Sequence, residues 1–272
     1  MPDLDYNPPP QGPEPPPQRE IIPSLDLRPK DDPPWTGWDV LLIALVALFS
    51  IVIFSIAAFA YAGHLHLFRG GSLADIAQDP RIVIPVQLAA YIVVLAFMYW
   101  IVHSYGRRFW PAVHWYWPER LLPYIFAGIV LAVTIQFSSV LLPIPKQLPI
   151  EQFFRTTLGA YLMGIFGVTA APLVEELFFR GFLYPVLARR LGVALGVGVT
   201  SMLFALIHQS QLGHAWGPLL LLFIVGLVLT IARARTGSVA PGFVIHVSYN
   251  FSLFLLLWTS TGHFHHFEHL TQ

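Results

Sequence analysis

The sequence predicts an all-α integral membrane protein, a polytopic helical bundle with seven or eight transmembrane spans. Of its 272 residues, 56% are hydrophobic and only 11% charged, whereas an ordinary globular domain carries about 25% charged residues. The apolar residues fall into long uncharged runs separated by short polar segments. Tryptophans gather where those runs end, the position at which amphipathic rings anchor among lipid headgroups.

Residues 1–39 hold eight of the 15 acidic side chains and half of the 24 prolines, with no apolar periodicity. They read as a disordered, solvated Pro-rich tail. No short basic stretch precedes the first apolar run, so no signal peptide is expected. Residues 40–62 contain no charge and exceed the ~20 residues that cross hydrocarbon. Further spans are predicted at 82–102, 121–142, 157–190, 193–212, 217–232 and 239–258. The count rises from seven to eight if Pro172 splits the fourth. The bundle therefore runs over 40–258, and residues 259–272 form a His-rich C-terminal tail. That tail carries imidazoles for a transition metal but lacks the acidic or cysteine ligands that fix a geometry, so the site is not placed there.

Arginine and lysine beside the spans give the orientation. With the N-terminus in the cytoplasm, the inner side receives Arg28, Lys30, Arg107, Arg108, Arg120, Arg189, Arg190, Arg233 and Arg235. The outer side receives Arg69, Arg81, Lys146 and Arg155. Trp35, Trp38, Trp110, Trp115, Trp117 and Trp258 fall at span ends. With 15 basic and 15 acidic residues and no basic stripe, nothing marks a nucleic-acid partner. The absence of cysteine removes disulfides, thiolate metal sites and a cysteine nucleophile. The expected partners are the lipid bilayer and a peptide or protein substrate.

The fourth span places Glu175, Glu176 and Arg180 inside an otherwise apolar helix. Each charge costs about 2.5–3.5 kcal/mol at the bilayer centre on insertion scales, so the stretch reads as functional. Glu176 and Arg180 are four apart on one face and suit a buried ion pair. Glu175 is turned ~100° away and is left over, a carboxylate available to take a proton from water. His208 lies in the next span, and both residues stand about 16 positions from the turn near Gly192. A hairpin therefore sets them at one depth, ~24 Å along the helices. His246 and Asn250 stack four apart in the last span and suit either a metal or a developing oxyanion. Counted from Val239, His246 is only ~10 Å deep, shallower than the other two. Gly192 and Gly196 offer a close contact between the spans of Glu175 and His208, a feature of the fold and not evidence for a dimer.

A carboxylate, two histidines and an amide on three spans suit hydrolysis of a peptide bond in a site shielded from bulk water. Intramembrane glutamate and histidine also serve proton or ion transporters. The sequence shows no inverted repeat and no paired broken helices, which ranks that reading below. It contains neither His-Glu-x-x-His nor Gly-x-Ser-x-Gly.

Read together, Glu175-Glu176-x-x-x-Arg180, Phe204-x-x-x-His208 and His246-x-x-x-Asn250 resemble the CPBP family. These are CAAX-processing and bacteriocin-processing (Abi) intramembrane proteases, related to the type II CAAX prenyl endopeptidase. The three motifs stand in the family's order over about 80 residues, so that 171–250 is the expected catalytic core. The resemblance implies an endopeptidase acting on a membrane-associated or prenylated, CAAX-like peptide. Glu175 and His208 would activate water, His246 and Asn250 would stabilise the oxyanion, and Glu176, Arg180 and Phe204 would support them. It leaves two modes of activation open: a divalent metal such as zinc on Glu175, His208 and His246, or the glutamate without metal. Other members of the family act in self-immunity or as membrane scaffolds, which is the non-catalytic alternative.

Overall fold

The computed structural model describes residues 33–64, 78–145, 147–154 and 156–264. Most of the N-terminal tail and most of the His-rich tail lie outside the described residues, as do Arg28, Lys30, Arg69, Lys146 and Arg155. The regular structure of the described residues is all helical, without strands. The helices are α1 (Gly37–His64), α2 (Pro80–Ser104), the short α3 (Phe109–Ala112), α4 (Leu122–Ser139), α5 (Thr157–Val168) and α6 (Ala170–Glu176). A π-helical segment (Leu177–Leu183) follows, then α7 (Tyr184–Leu191), α8 (Val193–Leu206), α9 (Trp216–Thr236) and α10 (Ala240–Ser260).

Six helical stretches are long and apolar enough to cross a membrane, and α8 is a shorter apolar helix. The protein is an integral multi-pass membrane protein. Side chains such as Phe49 (60% exposed) and Ile53 (60% exposed) on α1 belong against lipid, because no water-soluble surface would present them in such a run. Thr157 to Leu191 is one stretch of 35 residues, so Pro172 does not divide it into two spans. Pro172 sits in the first turn of α6, where its missing N–H costs little. The chain bends one step earlier, at Thr169 (φ −115°, ψ −75°).

α1 pairs with α2, α4 with α10, and α8 with both α7 and α9, while the α5–α7 stretch runs between these pairs. One core gathers Ile43 of α1, Met98 and Ile101 of α2 and Leu177 of the π segment. A second gathers Ile135 of α4, Phe179, Phe204 of α8, Leu229 of α9 and Ile245 of α10. The small-residue contact lies where the sequence places it: a side chain on Gly196 would stand 2.8 Å from Ala188 Cα. Gly192 serves differently, forming the turn at φ +81°, which favours glycine. Gly128 is tighter still, with an added Cβ 2.5 Å from Ile245 O. Gly128→Ala should therefore destabilise the fold by about 1–3 kcal/mol, read as a lowered melting temperature in detergent.

Three sequence expectations change. Trp35 is not a headgroup anchor. It is fully buried, stacks on Phe182 at 4.5 Å and donates its indole N–H to Phe182 O at 3.1 Å. Packed structure thus begins ahead of residue 40, because this indole caps a carbonyl of the π segment. Arg233 is not a surface charge either: it is 5% exposed, with its Nε donating to Arg180 O at 3.2 Å. Finally, α8 ends at Leu206, so the fifth span is shorter than 193–212 and His208 stands in the turn beyond it. Where Asp39 begins α1, its Oδ2 accepts Thr36 N at 2.7 Å and the Tyr105 hydroxyl at 3.0 Å. The bond to Asp39 holds the Tyr105 phenol above its ordinary pKa.

Candidate active site

The local sequence explains why the stretch that follows Glu175 and Glu176 changes its helical form. Tyr184 N bonds to Phe179 O, the wide i→i+5 register of a π-helix, which is frequent at functional sites. In that register Arg180 O would look to residue 185, but Pro185 has no N–H to give. Arg233 Nε takes the freed carbonyl. A buried carbonyl needs a partner, and a sequence reading without the register has no way to find this one.

Glu176 and Arg180 form the predicted ion pair at 2.8 Å, both fully buried. Arg180 also donates to Thr230 Oγ1 at 3.2 Å and to Gly226 O at 3.1 Å, and its guanidinium lies 4.6 Å from the centre of the Phe204 ring. The same ring packs against His208 at 5.1 Å and His246 at 5.8 Å. Phe204 is thus the apolar hub between a cation and two imidazoles.

Glu175 lies between the two histidines. His208 Nε2 is 3.9 Å from its Oε1 and His246 Nε2 is 3.8 Å from its Oε2. Both imidazoles are oriented from behind. His208 Nδ1 lies 2.8 Å from Phe204 O, and since a carbonyl only accepts, this nitrogen carries the proton. His246 Nδ1 lies 2.9 Å from Glu176 Oε1 and donates to that carboxylate. With Nδ1 engaged behind, the Nε2 of each ring faces Glu175. Gaps of 3.8–3.9 Å are too long for direct hydrogen bonds and suit a bridging water. The Glu175 side chain is 15% exposed and that of His208 18%, so water can reach them.

His246 meets Glu175 despite its shallow count along the chain because α10 begins inside the protein. Val239 and Ala240 are fully buried, and Val239 N bonds to His114 O at 2.9 Å. Ser238 Oγ bonds to Tyr116 O at 2.7 Å. The segment around α3 covers this end of the bundle and seats the start of α10 below its surface. Asn250 is less close to its expected place: its amide donates to Gly167 O at 2.7 Å, next to the bend at Thr169. The structure brings Glu175, His208 and His246 together, while Asn250 braces the bend and keeps one amide hydrogen to give.

Gly242 was not visible as a site residue. A Cβ there would lie 3.0 Å from Glu176 Oε2, an oxygen that is buried without a hydrogen-bond partner among the described residues. Only glycine leaves room for this carboxylate beside α10. The donor types of Glu175, His208 and His246 suit zinc, but tetrahedral bonds of ~2.05 Å set ligands only ~3.3 Å apart. The separations here are 3.8 and 3.9 Å, and among the described residues no group of three such side chains could hold a metal. As they stand, these residues do not fit a metal.

An apolar cavity of about 360 Å³ opens beside the site, bounded by Ala47 and Ile51 of α1, Tyr91 and Val94 of α2, and Phe178, with Glu175 and His208 in its wall.

No curated protein and no solved structure matches the chain significantly. Residues 157–252 match the model of the family described as type II CAAX prenyl endopeptidase, Rce1-like. That stretch contains Glu175, Glu176, Arg180, Phe204, His208, His246 and Asn250, and it is the part of the chain that is similar to the CAAX-type intramembrane proteases.

Proposed function

We propose that the protein hydrolyses a peptide bond of a membrane-associated or prenylated, CAAX-like peptide, with Glu175 as the general base. The observation that carries this reading is the pair of imidazole Nε2 atoms facing the two oxygens of Glu175 at 3.9 and 3.8 Å. A water held between Glu175 and His208 gives its proton to the carboxylate as its oxygen attacks the carbonyl carbon. Negative charge then develops on the carbonyl oxygen. His246, when it has taken a proton from solvent at Nε2, and the second amide hydrogen of Asn250 are the donors for it. Collapse breaks the C–N bond and Glu175 returns the proton to the leaving nitrogen, giving a carboxylic acid and an amine; the acid then loses its proton to the amine or to solvent. Glu176 holds His246 in its tautomer, as carboxylates behind histidines do elsewhere. The apolar cavity suits the lipid or side chain next to the scissile bond. The positive-inside pattern of Arg107, Arg108, Arg120, Arg189, Arg190 and Arg235 supports a cytoplasmic N-terminus.

The test is cleavage of membrane-tethered and prenylated peptides by the purified chain in detergent, with and without a chelator. Cleavage that survives the chelator is expected from the ligand spacing. Loss of cleavage with the chelator and return with zinc would mean that the side chains close by about 0.5 Å onto a metal. No cleavage of any peptide by a folded protein would favour the non-catalytic, scaffold alternative.

A further inference from the structure

α8 is too short for the membrane in which it stands. Its 14 residues rise ~21 Å, whereas a hydrocarbon core is ~30 Å thick. Other helices do not shelter it, for Leu195, Met202 and Leu206 are exposed and belong against lipid. Its antiparallel neighbour α9 has 21 residues, ~31 Å, a full crossing.

The register between the two helices shows where the length is missing. Gly226 of α9 lies against α8, with an added Cβ only 3.1 Å from Ser201 Cα. From that level α8 reaches ~12 Å to Val193 and α9 ~15 Å to Thr236, so these ends are nearly flush. In the other direction α9 continues ~15 Å to Trp216, but α8 only ~7.5 Å to Leu206. The connecting segment, 207–215, therefore begins ~7–8 Å below the end of α9. α2 gives a similar depth independently. Gln211 shares the Glu175 cavity with Gln87, which stands ~10 Å inside the start of α2 at Pro80.

Ser210, Gln211 and His214 are exposed on this turn. Polar side chains and non-helical backbone are not stable against lipid tails at such a depth, while local thinning of a bilayer costs little per ångström. Gln211 is also part of the wall of the cavity that holds Glu175 and His208, so the turn is the polar edge of the site.

We propose that α8 thins the bilayer beside it: the leaflet opposite the N-terminus of α1 dips by about 7–10 Å, the 207–215 turn lies at the membrane surface, and water passes Gln211 to reach His208 and Glu175. The use of that water rests on the protease reading above; the dip does not.

The chain has no cysteine, so single nitroxide labels test this directly at Ser210→Cys and Gln211→Cys. The reference is Val133→Cys, an exposed position on α4 that lies ~9 Å inside the end of that helix at Ser139. The full chain is placed in dioleoylphosphatidylcholine vesicles, and power saturation is measured with oxygen, which concentrates in hydrocarbon, and with chromium oxalate, which stays in water. Oxygen should be the stronger relaxant at 133 and chromium oxalate at 210, and the label at 211 should show deuterium echo modulation in D2O. Stronger relaxation by oxygen at 210 would put the turn in hydrocarbon, and weak relaxation by both reagents would put it under protein; either result overturns the dip. No deuterium at 211 overturns the water route. His214→Cys, equally exposed on the turn, replaces position 210 if that label unfolds the protein. Ser210→Leu/Gln211→Leu should lower kcat for peptide cleavage several-fold with KM unchanged, and a wild-type kcat would also overturn the water route. If the wild type cleaves no peptide, the protease reading fails, and the labels still decide the dip and the water at 211.

Discussion

Glu175→Gln should lower kcat/KM for peptide cleavage by about 10²–10⁴-fold, the usual worth of a general base. It should leave folding and peptide binding intact. The side chain faces the cavity, and among the described residues no hydrogen bond anchors it; the two Nε2 atoms face it at 3.9 and 3.8 Å. Glutamine keeps the shape and removes the proton acceptor. His208→Ala should cost less alone, and the double variant little more than Glu175→Gln, because residues acting on one water are not additive. The melting temperature of Glu175→Gln should match wild type in detergent. A folded Glu175→Gln protein that cleaves at the wild-type rate would remove Glu175 from the reaction, and one that preserves a biological effect without cleavage would favour the scaffold alternative.

Much of this was legible in the sequence because membrane helices leave charges nowhere else to go. Glu175, Glu176, Arg180, His208 and His246 are conspicuous by cost alone, and the Glu176–Arg180 pair follows from helical spacing. The hairpin count that set Glu175 level with His208 also held, although α8 stops at Leu206 and His208 hangs beyond it. The depth of His246 was not legible, since a count from Val239 assumes that α10 starts at the membrane surface. It starts beneath the α3 segment instead, tied there by Val239 and Ser238. The π register was hidden for a similar reason. Pro185 signals a lost N–H, but which carbonyl goes without a partner depends on packing against Arg233 and Trp35, both far away in the chain. Trp35 itself was read by its type, as an interfacial ring, when its indole N–H was needed inside.

That packing makes the Glu176–Arg180 pair the most fragile point of the bundle. Both side chains are fully buried, and Arg180 links the π-helical segment to α9 through Thr230 and Gly226. Removing one partner leaves an uncompensated buried charge, so Arg180→Ala or Glu176→Ala should destabilise by about 3–5 kcal/mol. The double variant Glu176→Leu/Arg180→Met should recover most of that loss, because two apolar side chains replace the pair without leaving either charge behind. Recovered stability should not bring back activity, for Glu176 Oε1 also holds His246 Nδ1 at 2.9 Å. Glu176→Gln tests the carboxylate at constant shape, although it too leaves Arg180 without its counter-charge and should lower the melting temperature. It keeps the volume and an oxygen for His246, and it should lower kcat by about 10–100-fold, the typical cost of losing a supporting carboxylate, with KM little changed. Melting temperatures and kcat measured on these four variants form the check. A Glu176→Leu/Arg180→Met protein as active as wild type would show that the carboxylate behind His246 does not position it for the reaction.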